Sequence, residues 1–176
     1  MPNNDIIKIK YYTARVKDRD HNPGQASRQE LYLRALRTLS NTEIVYGRFS
    51  SHWVSMYSKK SKPGKPRYED VYKTEEKGSD VNIATDLMGD GCLKLYDVGV
   101  LISNDSDLER TIARARDQYG LTIGILNPSL GRHASHALAK NASFVRSLRK
   151  WHLEHAQFPN IIQDGDKRIS KPHAWR

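Results

Sequence analysis

A chain of 176 residues is one ordinary domain, long enough to bury a sizeable core. Its hydrophobic content of 38% and mean hydropathy of −0.73 describe a wet surface, and no apolar run approaches the roughly 18 residues of a membrane span. The charge of +9, from 29 Lys+Arg against 20 Asp+Glu, points to a polyanionic partner, nucleic acid before others. The single Cys92 excludes an internal disulfide and fits a reducing, cytoplasmic compartment. Met1–Asp5 shows no cationic-then-apolar pattern of a secretory signal. With Leu87 and Leu95 on nearby helical turns, Cys92 reads as a small core residue.

In chain order, Ile6–Tyr12 reads as a strand, and Asp20–Gly24 as a loop turning at Asn22-Pro23-Gly24. A helix follows from Ser27, with Leu31, Ala35 and Leu39 four apart and Tyr32 and Leu36 beside them. Glu43–Phe49 is a second strand, and Trp53–Tyr57 a third, as the arm of a hairpin at the edge. Residues 59–67 hold five cations, two prolines and no acid; they read as a solvated basic surface loop, a plain insertion before an RNA-binding arm. Strand Glu69–Lys73 leads into an acidic segment. A helix is expected over Ser79–Leu95, with Val81, Thr85, Met88, Cys92 and Leu95 on its apolar face. Asp97–Ile102 is a continuous apolar run of the kind found in buried parallel strands. Helix Asp107–Tyr119 stops at Gly120, Leu121–Leu126 is a further buried strand, and short helices near Ala134–Ala139 and Arg149–Ala156 flank Phe144-Val145. The tail at 159–176 is polar and reads as wrapping the surface. Strand–helix alternation with buried central strands predicts an α/β fold, a three-layer αβα sandwich with a mostly parallel sheet, in one domain over 1–176.

Two segments carry the chemistry. Thr74–Asn82 and Ile102–Leu108 each place carboxylates where an extended run gives way to a helix, amid small polar residues. Asp is favoured at a helix start in its own right, so Asp105 and Asp107 alone fit a plain first turn. Two such loops, each after a strand, point further. Ionised carboxylates gathered by the fold repel one another unless a divalent cation lies between them. Asp80, Asp105 and Asp107 are therefore the expected ligands of Mg²⁺ or Mn²⁺, at the carboxyl ends of the strands where such sheets bind ligands. Lys73 and Lys77 flank the first segment, where they either steer a phosphate or pair with Glu75 and Glu76. Arg15 and Arg28 border the carboxyl end of the first strand, placed to hold RNA backbone or simply solvated. The His133/His136 and His152/His155 pairs, spaced by three, lack the partner ligands of a zinc site.

Several segments together resemble the NYN domain family of PIN-like nucleases. They are Lys10–Arg15, Glu75–Asn82, Ser103–Leu108, Gly124–Pro128 and Gln157–Pro159, so the likeness spans nearly the whole chain. The resemblance implies a PIN-like, Rossmann-like αβα fold and metal-dependent cleavage of RNA, with Asp80, Asp105 and Asp107 as the acidic site and Ser103 and Asn104 shaping it. RNA is the implied partner, no membrane surface is implied, and self-association is left open. Family members open with a strand ending in an Asp-Gly-x-Asn-like motif that this chain lacks, so an open slot is expected beside Val98–Ile102, and an N-terminally incomplete domain with it. An RNA-binding module that keeps the fold without the chemistry is the alternative.

Overall fold

The computed structural model describes residues 4–20, 22–59, 64 and 67–175. The order is β1 (Ile9–Thr13), α1 (Gln25–Arg37), β2 (Thr42–Tyr46), β3 (Arg48–Tyr57), β4 (Tyr68–Lys77), α2 (Ser79–Cys92), β5 (Val98–Leu101), α3 (Glu109–Tyr119), β6 (Thr122–Asn127), α4 (His136–Asn141), β7 (Phe144–Ser147), α5 (Lys150–His155), β8 (Ile161–Asp164) and β9 (Lys167–Ser170). The fold is α/β. Its parallel strands form two units, β1–β2 and β5–β6–β7, rather than one uninterrupted sheet. β3 and β4 make a long antiparallel hairpin. The basic segment 59–67 that joins them lies mostly outside the described residues. Among the described residues, no helix is long and apolar enough to cross a membrane.

The core lies between β5–β6–β7 and the helices α2 and α3. Ile112, Ala115, Ile123, Ile125 and Leu138 are fully buried there, joined by Leu101 and Leu108. Each large side chain removed from water in this way contributes about 1.5–3 kcal/mol. α3 ends as its sequence suggests, with Gly120 in the left-handed region (φ 62°) and its N–H on the Arg116 carbonyl.

Four sequence expectations are corrected. On α2 the stripe packed on the core is Ile83, Ala84, Leu87 and Met88, each half-buried, with the buried Gly91; of the expected face only Met88 packs there, and Val81, Thr85, Cys92 and Leu95 are exposed. Gly91 hides the stripe from a hydropathy reading: a Cβ there would overlap Leu121 and the Tyr96 hydroxyl. On α1, Leu33, Ala35 and Leu36 are buried, while Leu39 is exposed just beyond the helix end. Ile6 and Ile7 lie outside β1 and are exposed. The tail does not merely wrap the surface; Gly165 (φ 58°) and Asp166 turn β8 into β9, burying Ile169 against α1, with Arg34 and Asp164 paired at 3.1 Å.

Among the described residues β5 is paired on one edge only. β1 pairs only with β2 and β5 only with β6, so neither free edge has a strand partner among the described residues. On β5 the apolar run is covered on one face only: Gly99 and Leu101 are buried, while Val98, Val100 and then Ile102 are exposed at 46%, 53% and 60%.

Gly124, in the middle strand β6, is packed under the Phe144 ring, which a Cβ would overlap. Gly124→Ala should therefore destabilise the fold by about 1–3 kcal/mol through overpacking. Urea unfolding measures it, and an unchanged midpoint would show that the ring moves aside freely.

Candidate acidic site

The first acidic segment is not a loop. β4 continues through Lys77, so its side chains alternate between two faces. Lys73, Glu75 and Lys77 share one face, and Glu75 pairs with both lysines, at 3.0 Å to Lys77. Their hydrogen bonds hold its carboxyl down at about 2. Pairing is thus what the structure gives Lys73 and Lys77. Glu76 falls on the opposite face, where it accepts from the Ser79 hydroxyl.

The turn into α2 is made by Gly78 (φ 97°), and Asn82 N–H closes the first helical bond on its carbonyl at 2.8 Å. This junction packs against Gly47, where a Cβ would stand 2.7 Å from the Lys77 carbonyl and 3.0 Å from Ser79 Oγ. Gly47 N–H in turn bonds the Thr13 carbonyl at the end of β1, at 2.8 Å. Asp80, in the first turn of α2, is thereby set beside the carboxyl ends of β1 and β2.

The second segment leaves β5 and folds into a 3-10 turn, Ser106–Leu108. Asp105 caps that turn, accepting from the Asp107 N–H at 3.0 Å, and Ser103 Oγ accepts from the Asp105 N–H at 3.1 Å. Asn104 Oδ1 accepts from the Ser135 N–H at 2.6 Å, tying the turn to the segment before α4. Ser103 and Asn104 thus hold the turn that carries Asp105 and Asp107. Leu108 is buried and anchors the turn in the core.

Asp80, Asp105 and Asp107 are exposed, yet they share one electrostatic field. The Asp80 carboxyl is pushed above its usual range by burial first, then by the charges of Asp105, Asp107 and Glu76. Glu76 is the member that sequence reasoning missed; its signal was the strand alternation that separates it from Glu75. Among the described residues, no three or more His, Cys, Asp or Glu side chains converge closely enough to hold a metal ion. The expected basic contacts are engaged elsewhere: Arg15 pairs with Glu30 at 3.0 Å and lies over the Tyr46 ring, and Arg28 bonds the Pro23 carbonyl and the Asn22 side chain. His152 accepts from the Arg149 N–H at 2.9 Å, and His155 bonds the Trp151 carbonyl, so these imidazoles hold α5.

Acidic side chains near the carboxyl ends of parallel strands belong here to an α/β domain. The chain belongs to the NYN domain family, whose model matches residues 3–149. It is thereby a member of the PIN-like nuclease superfamily. It is 29% identical over 178 residues to 6-hydroxy-3-succinoylpyridine 3-monooxygenase HspA of Pseudomonas putida, covering 95% of this chain and 57% of that protein. The chain thus spans a little over half the length of this relative. The crystal structure of a protein of unknown function from Vibrio parahaemolyticus shares the fold, with a TM-score of 0.50 and 16% identity over 82% of this chain and 70% of that one.

Because folded Asp80 holds its proton more tightly than the unfolded chain does, this carboxyl costs stability as pH rises through the window just above its ordinary pKa. Asp105→Asn with Asp107→Asn should lower the Asp80 pKa part of the way back, since burial remains, and flatten stability across that window. A carboxyl-carbon NMR titration reads this directly. An Asp80 pKa unmoved in the double variant would show that the carboxylates do not share a field.

Proposed function

We propose that this chain hydrolyses RNA phosphodiester bonds with Mg²⁺ or Mn²⁺ held at Asp80, Asp105 and Asp107. The observation that carries this reading is placement: Asp80 lies in the first turn of α2 beside the carboxyl ends of β1 and β2, and Asp105 and Asp107 lie on the turn that leaves the carboxyl end of β5. The Asp80 carboxyl is raised by burial and then by the Asp105, Asp107 and Glu76 charges. Such a field is what a divalent cation relieves. Mg²⁺ commonly takes one or two carboxylates with retained waters and substrate phosphate oxygens rather than a closed protein cage, and Asp80, Asp105 and Asp107 would supply those carboxylates. When bound, the metal lowers the pKa of a coordinated water and offsets charge on the attacked phosphate. The chain supplies the rest. The Asp107 N–H holds the Asp105 carboxylate and Ser103 Oγ holds the Asp105 backbone, so the Asp105 carboxylate is oriented before any ligand arrives. The net charge of +9 draws a polyanion to the protein, and the association weakens with salt.

A second reading keeps RNA binding without catalysis. It is favoured by the looseness of the site, in which the carboxylates see one another without converging among the described residues. The Pseudomonas relative's name supplies a competing substrate class, an aromatic acid.

Asp105→Asn or Asp107→Asn should lower RNA cleavage by about a hundredfold or more, the scale for removing one group that stabilises transition-state charge, with the fold retained. Mn²⁺ titration by calorimetry should show binding that Asp80→Asn weakens. Undiminished cleavage in both variants would remove the site. Salt-sensitive RNA binding without Mn²⁺ uptake would favour the module, and turnover of 6-hydroxy-3-succinoylpyridine with RNA left intact would replace both readings.

A further inference from the structure

A cavity lies away from the carboxylates, between α1 and the C-terminal segment that carries β8 and β9. It has a volume of about 400 Å³. That is within the range of small-molecule sites. Its walls are apolar and aromatic. Tyr32 stands among three other rings in edge-to-face arrangement, with centroids 6.0 Å from Tyr11, 6.3 Å from Phe158 and 6.4 Å from Trp175. Tyr32, Phe158 and Trp175 line the cavity, over a floor that includes Ala35 and Ile169. Tyr32 and Trp175 remain 37% and 38% exposed, so this aromatic surface is open to a ligand.

Two cations line the same cavity, Arg28 and Lys171, and both are half-buried. Neither pairs with a carboxylate among the described residues. Arg28 gives two bonds, to the Pro23 carbonyl and the Asn22 side chain, which leaves most of its five donors free. Lys171 gives one, to Gln157 Oε1 at 3.0 Å. A half-buried cation without an anion keeps an unmet electrostatic demand, and Arg meets planar carboxylates with two parallel bonds.

The polar side chains of the cavity decide what kind of ring fits. Gln29 spends its amide on the Ala14 carbonyl at 2.8 Å and its oxygen on the Val16 N–H at 2.9 Å. Gln157 donates to the Leu153 carbonyl at 2.8 Å while accepting from Lys171. A nucleobase would bring several edge donors and acceptors to walls whose amides already spend part of their capacity within the protein, at a cost for each edge group left unpaired. A ring without such an edge, carrying its anion at one end, asks less of these amides and meets the two cations.

We propose that this cavity binds a small planar aromatic carboxylate, its ring stacked among Tyr32, Phe158 and Trp175 and its carboxylate held by Arg28 and Lys171. The site is separate from the phosphodiester reading, and Tyr11 lies between the two: its ring meets Tyr32, and it lies within reach of the Glu76 charge.

The test uses 2-naphthoate, with 2-naphthamide as its uncharged counterpart and uridine monophosphate as the nucleotide. Quenching of tryptophan fluorescence, checked by calorimetry, should show saturable naphthoate binding below millimolar concentration. Lys171→Gln should weaken it at least tenfold without moving the Tm, and Arg28→Gln should act in the same direction. Trp175→Ala should weaken naphthoate and naphthamide alike. Asp105→Asn with Asp107→Asn should leave naphthoate binding unchanged, so loss of RNA cleavage and loss of this site are read independently. Three results would overturn the proposal: no saturable binding, naphthamide binding as tightly as naphthoate (a cavity for an apolar segment), or uridine monophosphate binding more tightly than naphthoate (a base-stacking site).

Discussion

Lys10 Nζ lies 2.6 Å from Asp90 and 3.3 Å from Asp86, and the Tyr12 hydroxyl donates to the same Asp86 at 2.9 Å. Through these contacts one flank of α2 grips the β1–β2 unit, while Ile83, Leu87 and Met88 press another flank onto the core beside β5 and β6. The two parallel units share no strand pairing, so α2 is the main connection that sets one against the other. Burial by itself would lower the Lys10 pKa, but its hydrogen bonds to Asp90 and Asp86 and their charges outweigh that and raise it. Burial and Asp86 likewise push the Tyr12 phenol upward. Lys10 and Tyr12 therefore stay protonated at any ordinary pH. Asp80 sits at the N-terminal end of this same helix. The distance between the two acidic segments thus depends on a helix fixed by ion pairs on one side and by apolar packing on the other.

Much of this was legible in the sequence, and the misses have particular causes. The runs of β5 and β6 and the Gly120 stop were visible because apolar content and backbone chemistry agree there. The face of α2 was not. Its stripe repeats at Ile83, Leu87 and Gly91, and a glycine buried for lack of a side chain carries no hydropathy signal. The C-terminal hairpin was hidden in a polar composition, since only Ile162 and Ile169 mark its inner face, and the Gly165-Asp166 turn says more than the flanking residues. In the site, Asp80, Asp105 and Asp107 follow from their positions at helix and turn starts. The division of Glu75 from Glu76 required knowing that β4 extends to Lys77, because strand alternation sends one glutamate to the lysines and the other toward Asp80. The cavity could not be read at all, since Tyr32, Phe158 and Trp175 meet only after the tail has folded back on α1.

Membership of the NYN family and likeness to a protein named as a pyridine monooxygenase assign two unlike chemistries to related chains. A fold of this kind does not decide between them, because function resides in side chains grafted onto it. The chain has two places where such grafting is visible, and they differ in kind. The acidic spot is exposed, charged and set at the strand ends. The aromatic cavity is concave and apolar with cations but no acids among its lining residues, suited to an organic anion that sheds water on entry. Neither depends on the other for its electrostatics: the first gathers negative charge and the second leaves positive charge unanswered.

Among the described residues β1 and β5 do not pair, which bears on why the acidic spot is loose. Asp80 is positioned through α2, Gly47 and the ends of β1 and β2, whereas Asp105 and Asp107 ride on the end of β5. Within one hydrogen-bonded sheet, the spacing between such ends would be fixed at about 4.8 Å per strand step. Here β1 and β5 share no ladder, so their ends are related only by way of α2 and the core it packs on. Carboxylates held on separate units can feel one another's charge over several ångströms, as Asp80 does, without closing into a coordination sphere. The electrostatic signature of the site and its geometric looseness therefore have one origin. Helix α2 brings the two halves of the site within Coulomb range, and the missing ladder between β1 and β5 leaves the last few ångströms unset.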